Sequence, residues 1–300
     1  MGSVSIVLPA YNAMPFLGEA LQSVLNQTLQ DFEFIIIDDA SSDTTASEIA
    51  RFAEMDSRIV FLANEKRRGV AESLNLGIEA ANGTWIARMD ADDVAHPRRL
   101  ERQISYLEAN PELILLGTNV GLIDAQGRQL AHRLRMPTSH EDIDALLIGR
   151  RLSMIHPTVV IKREAIKKVG GYRPEFPVSE DHDIFLRLAE VGRMANLDEV
   201  LLHYRLHTSA QYDSPNHARF PEIIAQTLRR RGLSAPPVLT HRQRRLGLNL
   251  RTGYLVRGML RRLSRGEVGA ATELASLARH LVRKHLARLR LLWNERRAPS

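Results

Sequence analysis

The sequence predicts an α/β fold, a mostly parallel sheet flanked by helices, because short apolar runs alternate with helical patterns through the first hundred residues. One of these runs, residues 32–37, is nearly continuous, which is typical of a strand covered on both faces. The 300 residues are 44% hydrophobic and 25% charged, and they include no cysteine. This composition excludes a disordered chain, a disulfide scaffold and thiolate metal sites, so any metal must be held by oxygen or imidazole.

Four strands and three connecting helices follow one another in regular order. Strands are predicted at residues 4–8, 32–37, 59–62 and 84–89. The segments between them carry apolar side chains at helical spacing, among them Leu21 and Val24, Ile49 and Phe52, and Leu74 and Ile78. This order predicts a doubly wound parallel sheet.

Beyond residue 97 the pattern becomes mixed. Helices are predicted at residues 97–109, near Glu164 and at residues 181–191, and strands at residues 113–123, 157–162 and 200–205. From about residue 215 only helical periodicity remains, interrupted at Pro236-Pro237. The sequence therefore predicts an N-terminal α/β domain of residues 1–212 and a helical C-terminal region of residues 213–300.

Groups that contain polar residues follow the four strands. They are Pro9-Ala10-Tyr11-Asn12, Asp38-Asp39, Asn64 with Arg67-Arg68-Gly69, and Asp90-Ala91-Asp92-Asp93. In an open parallel sheet, ligands bind beyond the carboxyl ends of the strands. We therefore expect all four groups at one rim.

The acidic pair Asp38-Asp39 has two interpretations. A turn with a helix N-cap accounts for Ser41, Ser42 and Asp43, since these side chains satisfy free amide groups. Two carboxylates at a buried strand end repel each other unless a ligand or cation is present. We therefore favour Asp39 as a ligand contact.

The second acidic group, residues 90–93, predicts a metal site. Alternate residues of an extended strand end point to the same side, so Asp90 and Asp92 can converge. A hard divalent cation such as Mg²⁺ or Mn²⁺ suits such carboxylates and takes its other ligands from water and phosphate. Asp93 is expected to be a solvated residue of the turn that caps the next helix.

One candidate source of a general base is Ser179-Glu180-Asp181-His182-Asp183, at the start of a helical pattern. Helix capping alone would account for Glu180 and Asp183. A carboxylate fixed at a helix N-terminus could equally take a proton from an incoming hydroxyl. The residues by themselves leave both interpretations open.

Taken together and in order, these motifs, with Asn64 to Gly69, Ala71 and Asn75, resemble family 2 glycosyltransferases. The resemblance covers about residues 3–210, and it implies the GT-A fold, which is Rossmann-like. It also implies that Pro9, Ala10 and Tyr11 line a nucleotide base pocket, that Asp39 bonds the base, and that Arg67 or Arg68 closes over the base or phosphates. Asp90 and Asp92 match the DxD metal motif, with Asp90 also near the ribose, and Asp181 matches the catalytic base.

The segment His203-Tyr204-Arg205-Leu206-His207 resembles the YRxH segment that often ends such catalytic domains. His207 is accordingly a candidate metal or phosphate contact, with a surface loop histidine as the alternative. The resemblance implies an inverting, Mg²⁺- or Mn²⁺-dependent glycosyltransferase. Its donor would be a nucleotide-diphospho sugar, with a UDP-sugar the commonest expectation, and its acceptor a glycan or lipid-linked hydroxyl in cell-surface polysaccharide synthesis.

Two other functions are weighed against this one. A nucleotidyltransferase that forms sugar nucleotides needs a glycine-rich, basic loop after the first strand, and residues 9–15 contain no basic residue. A non-catalytic nucleotide-sugar or membrane-binding protein would share the fold, and replacing Asp181 would distinguish it.

The net charge of +6 divides unevenly along the chain. Residues 1–210 carry 22 Lys and Arg and 30 Asp and Glu, a net charge of −8, whereas residues 211–300 carry 19 and 5, a net charge of +14. Residues 274–293 predict a basic amphipathic helix, for which an anionic membrane surface is favoured over packing on the catalytic domain. Nucleic acid is disfavoured, because a single aromatic residue lies among the arginines of residues 274–300.

The location expected from the sequence is cytoplasmic, with peripheral attachment to the inner face of the plasma membrane as an extension. No apolar run approaches the roughly 20 residues of a membrane span. The N-terminus shows neither a basic region nor a cleavage site, so no signal peptide is predicted.

Overall fold

The computed structural model describes residues 4–177, 179–207, 220–240 and 243, which lie within one compact unit, Met1–Leu248. The predicted domain boundary near residue 212 and the predicted amphipathic helix of residues 274–293 lie outside the described residues. Both stay predictions.

The N-terminal half of the sheet is parallel, as the strand and helix order predicts. Its elements are β1 (Val4–Ala10), α1 (Leu17–Leu25), β2 (Phe32–Asp38), α2 (Thr45–Met55), β3 (Ile59–Ala63), α3 (Val70–Ala80) and β4 (Trp85–Arg88). The strands lie in the order β3-β2-β1-β4 with parallel pairing throughout. Their carboxyl ends therefore share one edge.

The second half continues the same sheet with mixed pairing. Its elements are β5 (Val94–Ala95), α4 (Arg99–Ala109), β6 (Leu113–Asp124), β7 (Gln129–Leu134), α5 (His140–Ile148), β8 (Val160–Lys162), α6 (Arg163–Lys168), α7 (Glu180–Leu188), β9 (Arg193–Leu206) and α8 (Phe220–Arg230). Beyond β4 the order is β8-β6-β9-β5, and β7 pairs with β6. Strand β8 is antiparallel to both neighbours, whereas β6 and β9 are parallel.

Several elements of this half differ from the predictions. Strands β5 and β7 were not predicted, since β5 has two residues and β7 has neither a continuous apolar run nor strict alternation. The predicted strand of residues 157–162 shortens to β8, because a 3₁₀ turn occupies His156–Thr158 and Pro157 cannot donate to a ladder. Strand β9 begins at Arg193 instead of residue 200 because it pairs with β6 over its whole length.

The core packs α3 closely against the parallel strands. Gly77 of α3 has no room for a side chain, since a Cβ there would lie 2.5 Å from Val7 Cγ1 and 2.8 Å from Ile37 Cδ1. This close approach sets the N-terminus of α3 at the rim of the sheet, beside the loop that follows β3.

Helix α8 packs on the same core. Ile223 and Ile224 are buried with the residues of α5 and α7. Arg230 forms an ion pair with Glu190 at 2.9 Å, and Arg231 forms one with Asp144 at 2.8 Å. Arg231 also pairs with Glu190 at 3.4 Å, so the first described helix after residue 212 is held by apolar burial and by three ion pairs.

None of the helices in the described ranges has the length and apolar character that crossing a membrane requires.

Candidate active site

A cleft of about 800 Å³ lies at the carboxyl ends of the parallel strands. Nine residues singled out from the sequence line it: Pro9, Ala10, Tyr11, Asp39, Arg67, Arg68, Asp90, Asp92 and His207. They come from five separate stretches of chain: four meet because β1 to β4 end at one rim, and His207 reaches Asp92 from the end of β9. The predicted convergence is therefore present in the structure.

Asp39 anchors one end of the cleft. Its Oδ1 accepts hydrogen bonds from Asn64 Nδ2 and the Arg68 amide, and its Oδ2 accepts one from the Gly69 amide, each at 2.8 Å. Burial opposes ionisation, but these bonds and one from Ser73 lower the pKa of Asp39 below its usual value. The ionised carboxylate thus fixes the loop before α3 and keeps some acceptor capacity for a ligand.

The turn after β2 ties the loops of β1 and β2 together. Ser41 Oγ accepts a bond from the Asn12 amide at 2.9 Å, and Asn12 Oδ1 accepts one from the Ser42 amide at 2.8 Å. Asp43 accepts a bond from the Thr45 amide at 3.0 Å. Ser41 and Asp43 thus accept from amide groups as the turn interpretation predicts, whereas among the described residues Ser42 only donates. The N-cap residue of α2 is Thr44, without a side-chain cap bond.

Tyr11 and Arg67 form the mouth of the cleft above Asp39. The Arg67 guanidinium carbon lies 4.0 Å from the centroid of the Tyr11 ring, which is the geometry of a cation–π contact. Tyr11 is 36% exposed, so the pair stands at the boundary with solvent. Arg67 therefore occupies one face of the Tyr11 ring, and a planar ligand that stacks on that face would displace the guanidinium.

Residues 90–93, which we call the acid loop, form the other end of the cleft. Carboxylate oxygens of Asp90, Asp92 and Asp93 lie within 4.8 Å of one another. Burial first, and then repulsion from its two neighbours, raises the pKa of Asp93 well above its usual value. Three crowded oxygen donors of this kind fit a hard divalent cation.

The prediction for Asp93 was wrong. Its side chain is 1% exposed and not solvated, because Oδ1 accepts a hydrogen bond from the Arg205 amide of β9 at 2.8 Å. Within the part of the chain that the structure describes, Asp93 Oδ2 is buried without a hydrogen-bond partner. A buried carboxylate oxygen with no donor is a further reason why a cation fits here.

His207 lies against the acid loop. Its Nε2 is 2.8 Å from Asp92 Oδ2, and its ring centroid is 4.6 Å from that of Phe16. The imidazole is largely buried. The structure thus joins the candidate contact at the end of β9 to the predicted metal motif.

Asp90 has a protein cation as its neighbour. Arg88, buried at the end of β4, forms an ion pair with it. Burial raises the pKa of Asp90, and the charge of Arg88 opposes this rise while the charges of Asp92 and Asp181 add to it. Asp90 is therefore partly neutralised by the protein, whereas Asp92 carries its charge toward His207 and the cleft.

Asp181 and Asp183, both in the first turn of α7, have different surroundings, although the sequence did not distinguish their roles. Asp183 is fully buried and forms ion pairs with Arg173 and Arg187, so its role is structural and helix capping does not explain it. Asp181 is partly exposed and its Oδ1 accepts a bond from the His182 amide at 2.6 Å. It does not line the cleft, although its charge acts on Asp90.

Glu180 lies buried beside Asp181. Its Oε1 is 4.0 Å from His156 Nδ1, and His156 Nε2 lies 2.8 Å from the Tyr172 hydroxyl. Burial first, and then the charge of Asp181, raises the pKa of Glu180 to about 8. Below that pH the folded protein holds this carboxyl protonated.

The raised pKa predicts how Glu180→Gln changes stability with pH. Between the usual glutamate pKa and about 8, the folded protein binds a proton that the unfolded chain releases, so wild-type stability falls as pH rises through this window. The glutamine amide of the variant carries no charge at either pH. We therefore expect the melting temperature of the variant to exceed that of the wild type near pH 9 but not near pH 5. Thermal melts of both proteins at the two pH values measure this, and an equal difference at both would contradict it.

Sequence reasoning gave no role to Arg88, His156, Tyr172 or Arg205. Arg88 precedes Asp90 by two positions, and that alternation was a usable signal that both side chains point to one side. His156 and Tyr172 meet Glu180 through tertiary packing, and no local pattern marks them. Arg205 stands inside the YRxH segment, in which only the histidine is a residue type that commonly binds metal.

Comparisons with known proteins agree with this architecture. The model of the family described as Glycosyl transferase family 2 matches residues 5–170. The O-antigen biosynthesis glycosyltransferase WbnJ of Escherichia coli is 33% identical over 215 residues, which are 70% of this chain and 82% of that protein.

Two solved structures share the fold. S. aureus TarS 1-349 in complex with UDP has a TM-score of 0.62 at 17% identity, over 92% of this chain and 81% of that one. Mannosyltransferase PcManGT from Pyrobaculum calidifontis, in complex with GDP-Man and Mn²⁺, has a TM-score of 0.57 at 19% identity, over 93% and 80%.

The curled, mostly parallel sheet with its cleft at the strand ends defines a GT-A enzyme, a glycosyltransferase. More particularly, the chain belongs to glycosyltransferase family 2, and relatives such as WbnJ act in polysaccharide biosynthesis.

Proposed function

We propose that this enzyme transfers a sugar from a nucleotide-diphospho sugar to a hydroxyl of a glycan or lipid-linked acceptor, with inversion at the anomeric carbon. The observation that carries the proposal is the cleft, with an aromatic face and an ionised carboxylate at one end and the acid loop at the other. A nucleoside diphosphate has the matching order of groups, a planar base followed by two phosphates.

The base of the donor would occupy the end formed by Pro9, Ala10, Tyr11 and Asp39. The Tyr11 ring offers a stacking surface, and the remaining acceptor capacity of Asp39 suits a base N–H. Arg67 or Arg68 would close over the base or the phosphates. The complex of TarS with UDP supports uridine as the base, although PcManGT holds GDP-Man.

Mg²⁺ or Mn²⁺ would be held by Asp92 and His207, with Asp90 near the metal and the ribose. The ion, when bound, neutralises the diphosphate and so makes it a better leaving group. Asp92 suits this role because its carboxylate faces His207, whereas Arg88 already partners Asp90. The complex of PcManGT with Mn²⁺ supports a metal at such a site.

Asp181 would act as the general base. It takes the hydroxyl proton of the acceptor while the acceptor oxygen bonds to the anomeric carbon, and the bond to the diphosphate breaks with its electron pair on the leaving oxygen. A single displacement of this kind inverts the configuration, through a transition state of oxocarbenium character. The structural role of Asp183 supports Asp181 as the base.

The acceptor side of the proposal rests on charge and on relatives. We propose residues 1–212 as the catalytic domain and residues 213–300, with a net charge of +14, as a basic region that attaches to anionic lipid on the inner face of the plasma membrane. Such attachment suits a lipid-linked acceptor, and the polysaccharide role of relatives such as WbnJ supports it. Nucleic acid is not a partner in this proposal.

A panel of nucleoside diphosphates tests the donor half. We expect UDP to raise the melting temperature more than GDP, ADP or dTDP, and to do so more strongly with Mn²⁺ than with EDTA, because a ligand that binds only the folded state stabilises it. Thermal melts with each nucleotide, with and without metal, measure this effect. A larger shift with a nucleoside triphosphate would favour the nucleotidyltransferase, and no shift with any nucleotide would contradict the proposal.

A further inference from the structure

Arg205 of β9 is a buried cation that contacts the backbone of the acid loop. Its side chain is 1% exposed, yet its ion-pair partner, Glu19 of α1, is 55% exposed, with Nη2 and Oε2 at 2.5 Å. A buried guanidinium that shares its partner with water gains little stability over an apolar side chain of similar size. The ion pair with Glu19 is one of several contacts of this guanidinium.

The other contacts of the guanidinium lead to the candidate metal site. Nε donates to the backbone oxygen of Asp92 at 2.7 Å, and Nη1 donates to that of Asp124, at the end of β6, at 3.2 Å. One planar group therefore joins the acid loop to α1 and β6. The rigid fork of arginine suits such a junction, because its donors have fixed relative directions.

Arg205 also reaches His207 through an aromatic ring. Its guanidinium carbon lies 5.0 Å from the centroid of the Phe16 ring, and that ring contacts His207. The backbone amide of Arg205 donates to Asp93. Asp92, Asp93 and His207 are thus each oriented by Arg205 or by a group that it contacts.

We infer that Arg205 is a positioning residue that sets the geometry of the metal-binding groups Asp92 and His207 by holding the Asp92 carbonyl and the Phe16 ring. The inference rests on the proposed function, which places a divalent cation at these two side chains. Groups that orient metal ligands typically change metal affinity by about 10- to 100-fold when they are replaced.

The test uses Arg205→Lys, which keeps the charge but cannot donate in the same fixed directions. Titration of the protein with Mn²⁺ alone, followed by electron paramagnetic resonance, should show a dissociation constant roughly 10- to 100-fold higher than in the wild type. Arg205→Met should show a similar loss, since the geometry of the donors and not the charge carries the effect.

The matched control is Arg187→Lys. Arg187 is also a buried arginine that bonds one carboxylate, that of Asp183, and two carbonyls, those of Val169 and Gly171. This variant should lower the melting temperature in EDTA as Arg205→Lys does, but it should leave the Mn²⁺ affinity unchanged. The comparison separates positioning from general destabilisation.

Wild-type Mn²⁺ affinity in Arg205→Lys would overturn the inference and leave the proposed function intact. A wild-type protein that binds no Mn²⁺ would overturn both the proposed metal site and this inference. If Arg205→Lys does not fold, Glu19→Gln decides, because it loosens the far end of the guanidinium from an exposed position. We expect that variant to weaken Mn²⁺ binding several-fold by the same mechanism, and an unchanged affinity would overturn the inference.

Discussion

Asp181→Asn is expected to slow sugar transfer by about 100- to 10,000-fold, the usual contribution of a general base, while UDP binding stays within about twofold of the wild type. The asparagine amide keeps the shape of the side chain but cannot accept the acceptor proton at neutral pH. Release of UDP from the UDP-sugar that stabilises the wild type most measures the rate, and calorimetric titration with UDP measures the binding.

The control is Asp142→Asn. Glu141-Asp142 is the other Glu-Asp pair of the sequence and likewise lies in the first turn of a helix, α5. That variant should transfer sugar at the wild-type rate. If Asp181→Asn is as active as Asp142→Asn, Asp181 is not the general base.

Asp92→Asn is expected to lower transfer by at least about 100-fold, the order found when a group that stabilises transition-state charge is lost. The same change should make the metal-free protein more stable, because the charge of Asp92 is one of those that raise the pKa of Asp90 and Asp93. Activity and stability should therefore move in opposite directions. Thermal melts in EDTA and UDP-release assays with Mn²⁺ measure the two effects.

Asp31→Asn is the control for this variant, since Asp31 is an exposed carboxylate in the segment just before β2. It should change neither activity nor the melting temperature in EDTA. If Asp92→Asn melts below the wild type in EDTA, carboxylate repulsion does not dominate the acid loop. If its activity with Mn²⁺ is normal, the metal is not held at Asp92.

The parallel half of the fold and its rim were predictable because their signals are local. Residues 32–37 form a nearly continuous apolar run that ends in Asp38-Asp39, and polar residues likewise follow each of the other early strands. The right-handed strand–helix–strand connection then places these ends together without further information. Asp39, Asp90 and Asp92 could be named as site residues for this reason.

The parts that the sequence did not reveal depend on distant partners. The sequence around Asp93 predicts a solvated turn residue, because the Arg205 amide that bonds it lies more than a hundred residues later. The sequence around Asp183 predicts a helix cap, whereas the structure shows ion pairs with Arg173 and Arg187. Strand β5 has two residues and exists through its pairing with β9. Propensity and periodicity within a window carry no information on such contacts.

The hydrogen bonds of Asp39 bear on how the donor preference of this enzyme could be altered by design. The carboxylate that would bond the base also accepts hydrogen bonds from the Arg68 and Gly69 amides and from Asn64. Replacing it to accommodate another nucleotide would loosen the loop that carries Arg67 and Arg68, and affinity for every donor would fall together. A selection for new nucleotide specificity should therefore leave Asp39 fixed and vary Tyr11 and Arg67. Their side chains form the mouth of the cleft, and among the described residues they show no comparable set of hydrogen bonds to the backbone.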